Sequence, residues 1–338
     1  MLLYILFFII KLIVSSIQQP QQQCNCQRQY VLIGEARSNL SLIQVYQSNS
    51  IRELRLNTKG TNTIESSIDL DRPLDSVHQY ANTMMIGLIW NMIPRHILII
   101  GLGAGILPRI LRSYYPLAQI DIVEIDPNIL DVARDYFDFQ SDSRMNVIIH
   151  DARYYIRTSV KKYDIIFSDA FLETDEGTPY HLKTVGFLSE LKRIMADDGG
   201  VLVSNLHRRY SDYNRLRQTY SFVYQYNYAF LGKGKCNYAI LASVNERITY
   251  EEMLSRARHL QDIKRFRFNL TAEIIKLEIE EQWNKNSDVL KDSVALYIVD
   301  TQNERVLQYD AKGTSEGHIV VLGGEGRGDG VNQLENPQ

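Results

Sequence analysis

Three glycines at alternate positions, Gly101, Gly103 and Gly105, follow directly on the apolar run Ile97-Leu98-Ile99-Ile100. Glycine turns tightly and lets a ligand approach the backbone with no Cβ in the way. The loop alone is a weak signal, because many strand–helix corners contain two glycines. Glu124 strengthens it, ending the next apolar stretch in Val123-Glu124-Ile125-Asp126, 23 residues after Gly101. A carboxylate there can accept hydrogen bonds from ribose hydroxyls. The loop is not the dinucleotide fingerprint, since the position three after Gly103 is Ile106 rather than Gly or Ala. With no accommodation for pyrophosphate at the helix start, the spacing favours a nucleoside without phosphates, as in S-adenosylmethionine-type cofactors.

Two more acids follow strand-like runs. Asp151, in His150-Asp151-Ala152-Arg153, can accept from an adenine amino group and can also cap the following helix; the two roles are compatible. Asp169, in Phe167-Ser168-Asp169-Ala170, would overlook the crevice at the carboxyl ends of the strands, where open α/β sheets bind ligands. A buried acid beside substrate is a reasonable catalytic base. A loop-capping aspartate is the competing reading.

These residues need a scaffold of alternating strands and helices, and the pattern supplies one. Apolar runs at His96 to Ile100, Ile120 to Ile125, Val147 to Ile149, Tyr163 to Ser168 and Val201 to Ser204 read as strands. Between them lie helical stretches at Ile106 to Tyr115, Pro127 to Phe137, Ala152 to Val160 and Thr184 to Met195. That alternation predicts parallel βαβ units with helices on both sheet faces. Tyr80 to Trp90 reads as a helix leading into this domain, and Tyr30 to about Ile68 as β-hairpins. Phe222 to Phe230 and Tyr238 to Val244 look like a closing antiparallel pair. Thr249 to Leu260 and Thr271 to Trp283 read as further helices. Past about Val299 periodicity is lost, and Gly323 to Gly330 holds five glycines in eight residues, so residues 299–338 are expected to be a disordered tail.

The balance of 37 Lys+Arg against 40 Asp+Glu gives a net charge of −3, so the chain has no basic field to hold a phosphate backbone and no nucleic-acid partner is expected. Cys24, Cys26 and Cys236 are too few for a disulfide scaffold and lack metal-site spacing; no metal is expected. Leu2 to Ile10 are nine consecutive apolar residues, followed by Lys11, Leu12-Ile13-Val14 and the polar run Gln18 to Gln23. The length suits a signal-peptide core better than a spanning helix. The expectation is a signal peptide over 1–17, a polar linker over 18–29, and a secreted or secretory-lumen protein. An uncleaved membrane anchor is the alternative.

From about Leu42 to Val294 the sequence resembles the polyamine aminopropyltransferases, the spermidine and spermine synthases, and is most similar to their synthase-like relatives. The resemblance runs through the hairpins, Gly101 to Gly105, Val123-Glu124-Ile125-Asp126, Asp151, Tyr163 to Asp169 and Asp198-Gly199-Gly200-Val201-Leu202-Val203. It implies a Rossmann-like class I methyltransferase sheet, seven-stranded and mostly parallel (81–298), behind a small N-terminal β-hairpin domain (30–80), often as a homodimer. It also implies that Glu124 contacts ribose and Asp151 adenine. Two departures stand out. Ala104 occupies the position of an acid in the glycine loop, and Leu172 that of a second acid three residues after Asp169. The loop acid would repel the carboxylate of intact S-adenosylmethionine and anchor an amine, so its loss removes both effects. Glu173, Asp175 and Glu176 are candidate replacements or simply solvated loop acids. His181, in Thr178-Pro179-Tyr180-His181-Leu182, is a candidate base or a packing and helix-entry residue.

Three functions are open on the sequence. The leading one is aminopropyl transfer from decarboxylated S-adenosylmethionine to a small-molecule amine, with Asp169 taking the proton. The others are methyl transfer from intact S-adenosylmethionine, favoured by Ala104, and an inactive secreted nucleoside-binding relative. The acceptor itself is not legible.

Overall fold

The computed structural model describes residues 29–58, 61–170, 177–208, 210–232, 238–278, 283–292, 295–300, 305–310 and 319–323. The expected signal peptide, nearly all of the polar linker, the three cysteines, and Leu172, Glu173, Asp175 and Glu176 lie outside the described residues.

The N-terminal hairpins form an antiparallel meander of β1 (Val31–Arg37), β2 (Leu42–Ser48), β3 (Ile51–Thr58) and β4 (Thr61–Asp69), paired in that order. Alternation along β2 and β3 turns Ile43, Val45, Leu54 and Leu56 inward, and all four are buried. In β4 the register slips: Leu54 pairs with Ser66 but Arg55 with Ile64, which leaves Glu65 as the extra residue of a bulge.

Helix α1 (Gln79–Met84) runs straight into a 3-10 turn at Met85–Ile89 rather than forming one helix to Trp90. Gly87 lies against the sheet there, where a Cβ would stand 2.4 Å from Val203 Cγ2. The main unit then alternates through β5 (His96–Ile100), α2 (Ile106–Tyr114), β6 (Gln119–Glu124), α3 (Pro127–Phe137), β7 (Met145–Ile149), α4 (Ala152–Thr158), β8 (Ile165–Ser168), α5 (Val185–Ile194) and β9 (Val201–His207). After these come α6 (Tyr213–Val223), β10 (Tyr226–Leu231), β11 (Tyr238–Val244), α7 (Tyr250–Lys264) and α8 (Leu270–Ile274). Side-chain caps start several helices: Asp126 accepts from Asn128 N ahead of Pro127 at the first turn, Thr184 from Phe187 N, and Thr249 from Glu252 N.

The sheet has seven strands in the order β10-β11-β9-β8-β5-β6-β7, parallel from β5 to β9 and closed by two antiparallel strands. Strand alternation divides the core in two. Ile97, Ile99, Ile122, Ile165 and Phe167 pack on the face shared with the N-terminal meander. Leu98, Ile100, Val123, Ile166 and Leu202 pack with Ile156, Leu188, Leu191 and Leu216 from α4, α5 and α6. Each such side chain contributes about 1.5–3 kcal/mol by leaving water. Strand order reverses at β5, between β6 and β8, and a crevice opens at the carboxyl ends there.

Three further expectations are corrected. The stretch Phe222 to Phe230 is not a strand throughout, because α6 extends to Val223. Its buried face, Tyr213, Leu216, Arg217 and Tyr220, has helical spacing but includes a cation. The helix expected over Thr271 to Trp283 ends at Ile274. Beyond it the chain pairs with the open edge of β10, with Leu231 N donating to Lys276 O and Glu278 N to Ala229 O. Across the start of the tail expected to be disordered (299–338) and within it, β12 (Ala295–Asp300), β13 (Arg305–Asp310) and β14 (Ile319–Gly323) form a separate antiparallel sheet. Its first strand follows the continuous apolar run Ala295-Leu296-Tyr297-Ile298-Val299.

Candidate active site

The carboxyl ends of β5, β6, β7 and β8 feed one cavity of about 370 Å³, and β4 covers part of its wall. Gly101, Gly103, Glu124, Asp151 and Asp169 all line it. Gly105 does not: it stands at the start of α2 against the ring of Phe139.

Neighbouring protein atoms pack closely against the glycine loop. Gly101 has φ 96, and a Cβ there would lie 2.8 Å from the carbonyl oxygen of Asp169. Gly103 has φ 53, and its Cβ would lie 2.6 Å from Ser66 Oγ. Both positions therefore need glycine for backbone conformation and for close approach. Glu124 is what anchors this loop. Its Oε2 accepts from Leu102 N at 2.9 Å and its Oε1 from Asp126 N at 3.0 Å. Burial pushes its carboxyl above the usual range, partly offset by those backbone donors. Each oxygen keeps a lone pair, so a ribose diol at the cavity wall can still donate to it.

Asp151 caps α4, accepting from Tyr154 N at 2.9 Å through Oδ1. Its Oδ2 lies 3.0 Å from His181 Nε2. Burial would raise this carboxyl, but the hydrogen bond and charge interaction with His181, with the Tyr154 and Arg153 N–H groups, outweigh it and hold the group below its usual range. His181 thus ties the segment before α5 to the start of α4.

Asp169 sits on side chains rather than backbone. Asn205 Nδ2 donates to its Oδ1 at 2.9 Å, and Tyr80 supplies a second hydrogen bond. Burial pushes the Asp169 carboxyl up to about 6, against the lowering effect of both donors. Burial, with the Asp169 charge next, also holds Tyr80 well above the ordinary phenol range, so Tyr80 remains a donor. Oδ1 of Asn205 is buried without a partner among the described residues, and Asn205 itself is 6% exposed at the cavity. The sequence reading missed both residues. Tyr80 passed as an apolar helix position; the polar pair Ser204-Asn205 inside an apolar strand was a signal that could have been followed.

The residues fit an S-adenosyl-type nucleoside. Glu124 and Asp151 present acceptors on adjacent strand ends, and Ile106, Leu107, Ile129 and Leu182 supply apolar walls. Among the described residues, no group of three His, Cys, Asp or Glu side chains could hold a metal ion.

Residues 78–219 match the spermine/spermidine synthase domain. The chain is also 31% identical over 271 residues to a polyamine aminopropyltransferase of Vibrio vulnificus, covering 78% of this chain and 89% of that one. The chain belongs to the polyamine aminopropyltransferase family. Among solved structures it is similar to a probable spermidine synthase from Corynebacterium glutamicum, at 17% identity and TM-score 0.60, covering 78% of this chain and 98% of that one. It is also similar to human methyltransferase-like protein 13 in complex with SAH, at 26% identity and TM-score 0.51, covering 56% and 93%.

Within the family framework Ala104 takes on a definite environment. It is fully buried, does not line the cavity, and its N donates to Ser66 Oγ at 3.3 Å. An acid at this position would have to displace Ser66 or enter the core.

Proposed function

We propose that this aminopropyltransferase-family chain transfers an aminopropyl group from decarboxylated S-adenosylmethionine to a small-molecule amine. The observation that carries the reading is Asp169, a carboxylate poised near 6 between Tyr80 and Asn205, in the same cavity as Glu124 and the glycine loop. The co-substrate supplies a methylene made electrophilic by its sulfonium. Glu124 orients the ribose, and Asp151 faces the base. Asp169 accepts one proton from the acceptor amine, which frees the nitrogen lone pair. That pair forms the new C–N bond as the C–S electrons return to sulfur, leaving the neutral thioether methylthioadenosine. A base near 6 is mostly ionised at neutral pH and still basic enough to take the proton.

The test is chromatographic detection of methylthioadenosine from the decarboxylated co-substrate with a panel of amines. Release that depends on the amine and is lost in Asp169→Asn supports the reading. Release that is unchanged in Asp169→Asn contradicts it.

One observation favours a second reading, methyl transfer from intact S-adenosylmethionine. The glycine loop carries Ala104, so it holds no acid to repel a carboxylate. In that case the nucleoside product is S-adenosylhomocysteine instead.

A further inference from the structure

Strand β9 is buried from Val201 to Leu206, yet it carries two polar residues side by side, Ser204 and Asn205. Burying a polar group costs free energy unless a hydrogen bond replaces water. Ser204 turns with Leu202 and Leu206 to the helical face, where its Oγ accepts from Tyr220 Oη of α6 at 2.8 Å. Successive strand residues face opposite ways, so Asn205 turns with Val201 and Val203 to the other side. The register decides what it meets there. Ser168 of β8 pairs with Ser204, which sets Asn205 level with Asp169 on the neighbouring strand. Adjacent strands lie about 4.8 Å apart, a gap that two short side chains can bridge. Asn205 Nδ2 accordingly donates to Asp169 Oδ1 at 2.9 Å. The backbone of Asp169 is fixed separately, its N donating to Ile100 O at 2.9 Å, so Asn205 holds the carboxyl alone.

Packing does not call for an amide here. Its Oδ1 is buried with no partner among the described residues, a cost that an apolar side chain of similar size avoids. The half of the amide in use is the donor, and a donor strengthens an ionised carboxylate more than a neutral acid. Burial raises the Asp169 carboxyl most; Asn205 and then Tyr80 of α1 oppose it. Other titratable side chains on the cavity wall include Glu65 of β4, His78 before α1, Glu124 of β6, and the register partners His207 and Tyr238 of β9 and β11. We propose that Asn205 positions the proton acceptor, its amide holding the Asp169 carboxylate oriented and charged to take the proton of the acceptor amine. Asn205 acts through Asp169 and has no contact with substrate in this role. The inference rests on the aminopropyl reading of the site.

Two titrations of the full chain test it. In the first, isotope-labelled aspartate carboxyls are followed by NMR against pH without ligand, and Asp169 is assigned as the signal missing from Asp169→Asn. The parent carboxyl should titrate near 6. In Asn205→Leu, which keeps the volume and removes the donor, its midpoint should rise by about one pH unit or more, as for loss of a charge-assisted hydrogen bond. The second titration is kcat/KM for amine-dependent methylthioadenosine release against pH, whose midpoint should rise by the same amount. A carboxyl midpoint that stays in place in Asn205→Leu overturns the proposal and leaves the aminopropyl reading standing, since a structural role only lowers the kcat/KM curve at every pH. A carboxyl midpoint that moves while that of kcat/KM does not overturns the proposal and removes Asp169 as the proton acceptor. A parent that releases no methylthioadenosine with any amine of the panel overturns the aminopropyl reading, and the proposal with it. If Asn205→Leu does not fold, Asn205→Val takes its place and is judged by the same shifts.

Discussion

Glu124 and Asp169 are both acids raised by burial, yet their partners suit them to different work. Glu124 is pinned by two backbone N–H groups and acts as a fixed acceptor. Glu124→Ala should weaken methylthioadenosine binding by roughly ten- to hundredfold, from the loss of about 1.5–3 kcal/mol of charge-assisted hydrogen bonding. Calorimetry on the folded variant checks it, and unchanged affinity would remove Glu124 from the site. Asp169 can change charge near neutrality. Its folded pKa of about 6 lies above the 3.8 of an ordinary aspartate. The protonated form therefore favours the fold; this contribution is complete below the unfolded pKa and is lost as pH rises through the folded one. Asp169→Asn should accordingly be more stable than the parent at pH values well above 6, by up to about 3 kcal/mol. The two should converge on acidification below the unfolded pKa. Urea titrations at both pH extremes read this directly. Activity should run the opposite way, with kcat/KM rising through about 6 in the parent and absent in Asp169→Asn.

At the scale of elements, the segment after α8 shows how a polar interaction can decide a structure. Arg217, 1% exposed on α6, donates to Tyr213 Oη and to Glu278 at 2.9 Å, which joins the helix to the stretch covering the edge of β10. Arg217→Ala should cost about 3 kcal/mol or more, because a buried carboxylate loses its guanidinium. A urea midpoint that does not move would contradict this. The pairing was not legible beforehand: Thr271 to Trp283 has helical spacing, and only the open edge of β10 explains why the chain extends there. The glycine loop, Glu124, Asp151 and Asp169 were legible for the opposite reason. In a parallel sheet the ends of consecutive strands must meet at one edge, so local patterns report a shared site. Tyr80 and Glu65 reach that site through a helix direction and a register slip in β4. These depend on tertiary packing, and spacing along the chain does not encode them.

At the scale of the molecule, the cavity belongs to two sheets at once. The seven-stranded sheet provides the acids at its strand ends, and the N-terminal meander closes over them through Ser66 and the bulge. Among the described residues no helix is long and apolar enough to cross a membrane. We propose that the apolar N-terminal segment is removed near Ser16, which N-terminal sequencing of protein recovered from the producing cell would show. An intact Met1 in a membrane fraction would mean an anchor instead.

The central claim is aminopropyl transfer at Asp169, and a competition experiment tests it most directly. Equal amounts of intact and decarboxylated S-adenosylmethionine are offered with one amine acceptor, and the modified amine is weighed by mass spectrometry. The account predicts a gain of one aminopropyl group, with methylthioadenosine as the nucleoside product. A gain of one methyl group, with S-adenosylhomocysteine released, would contradict it.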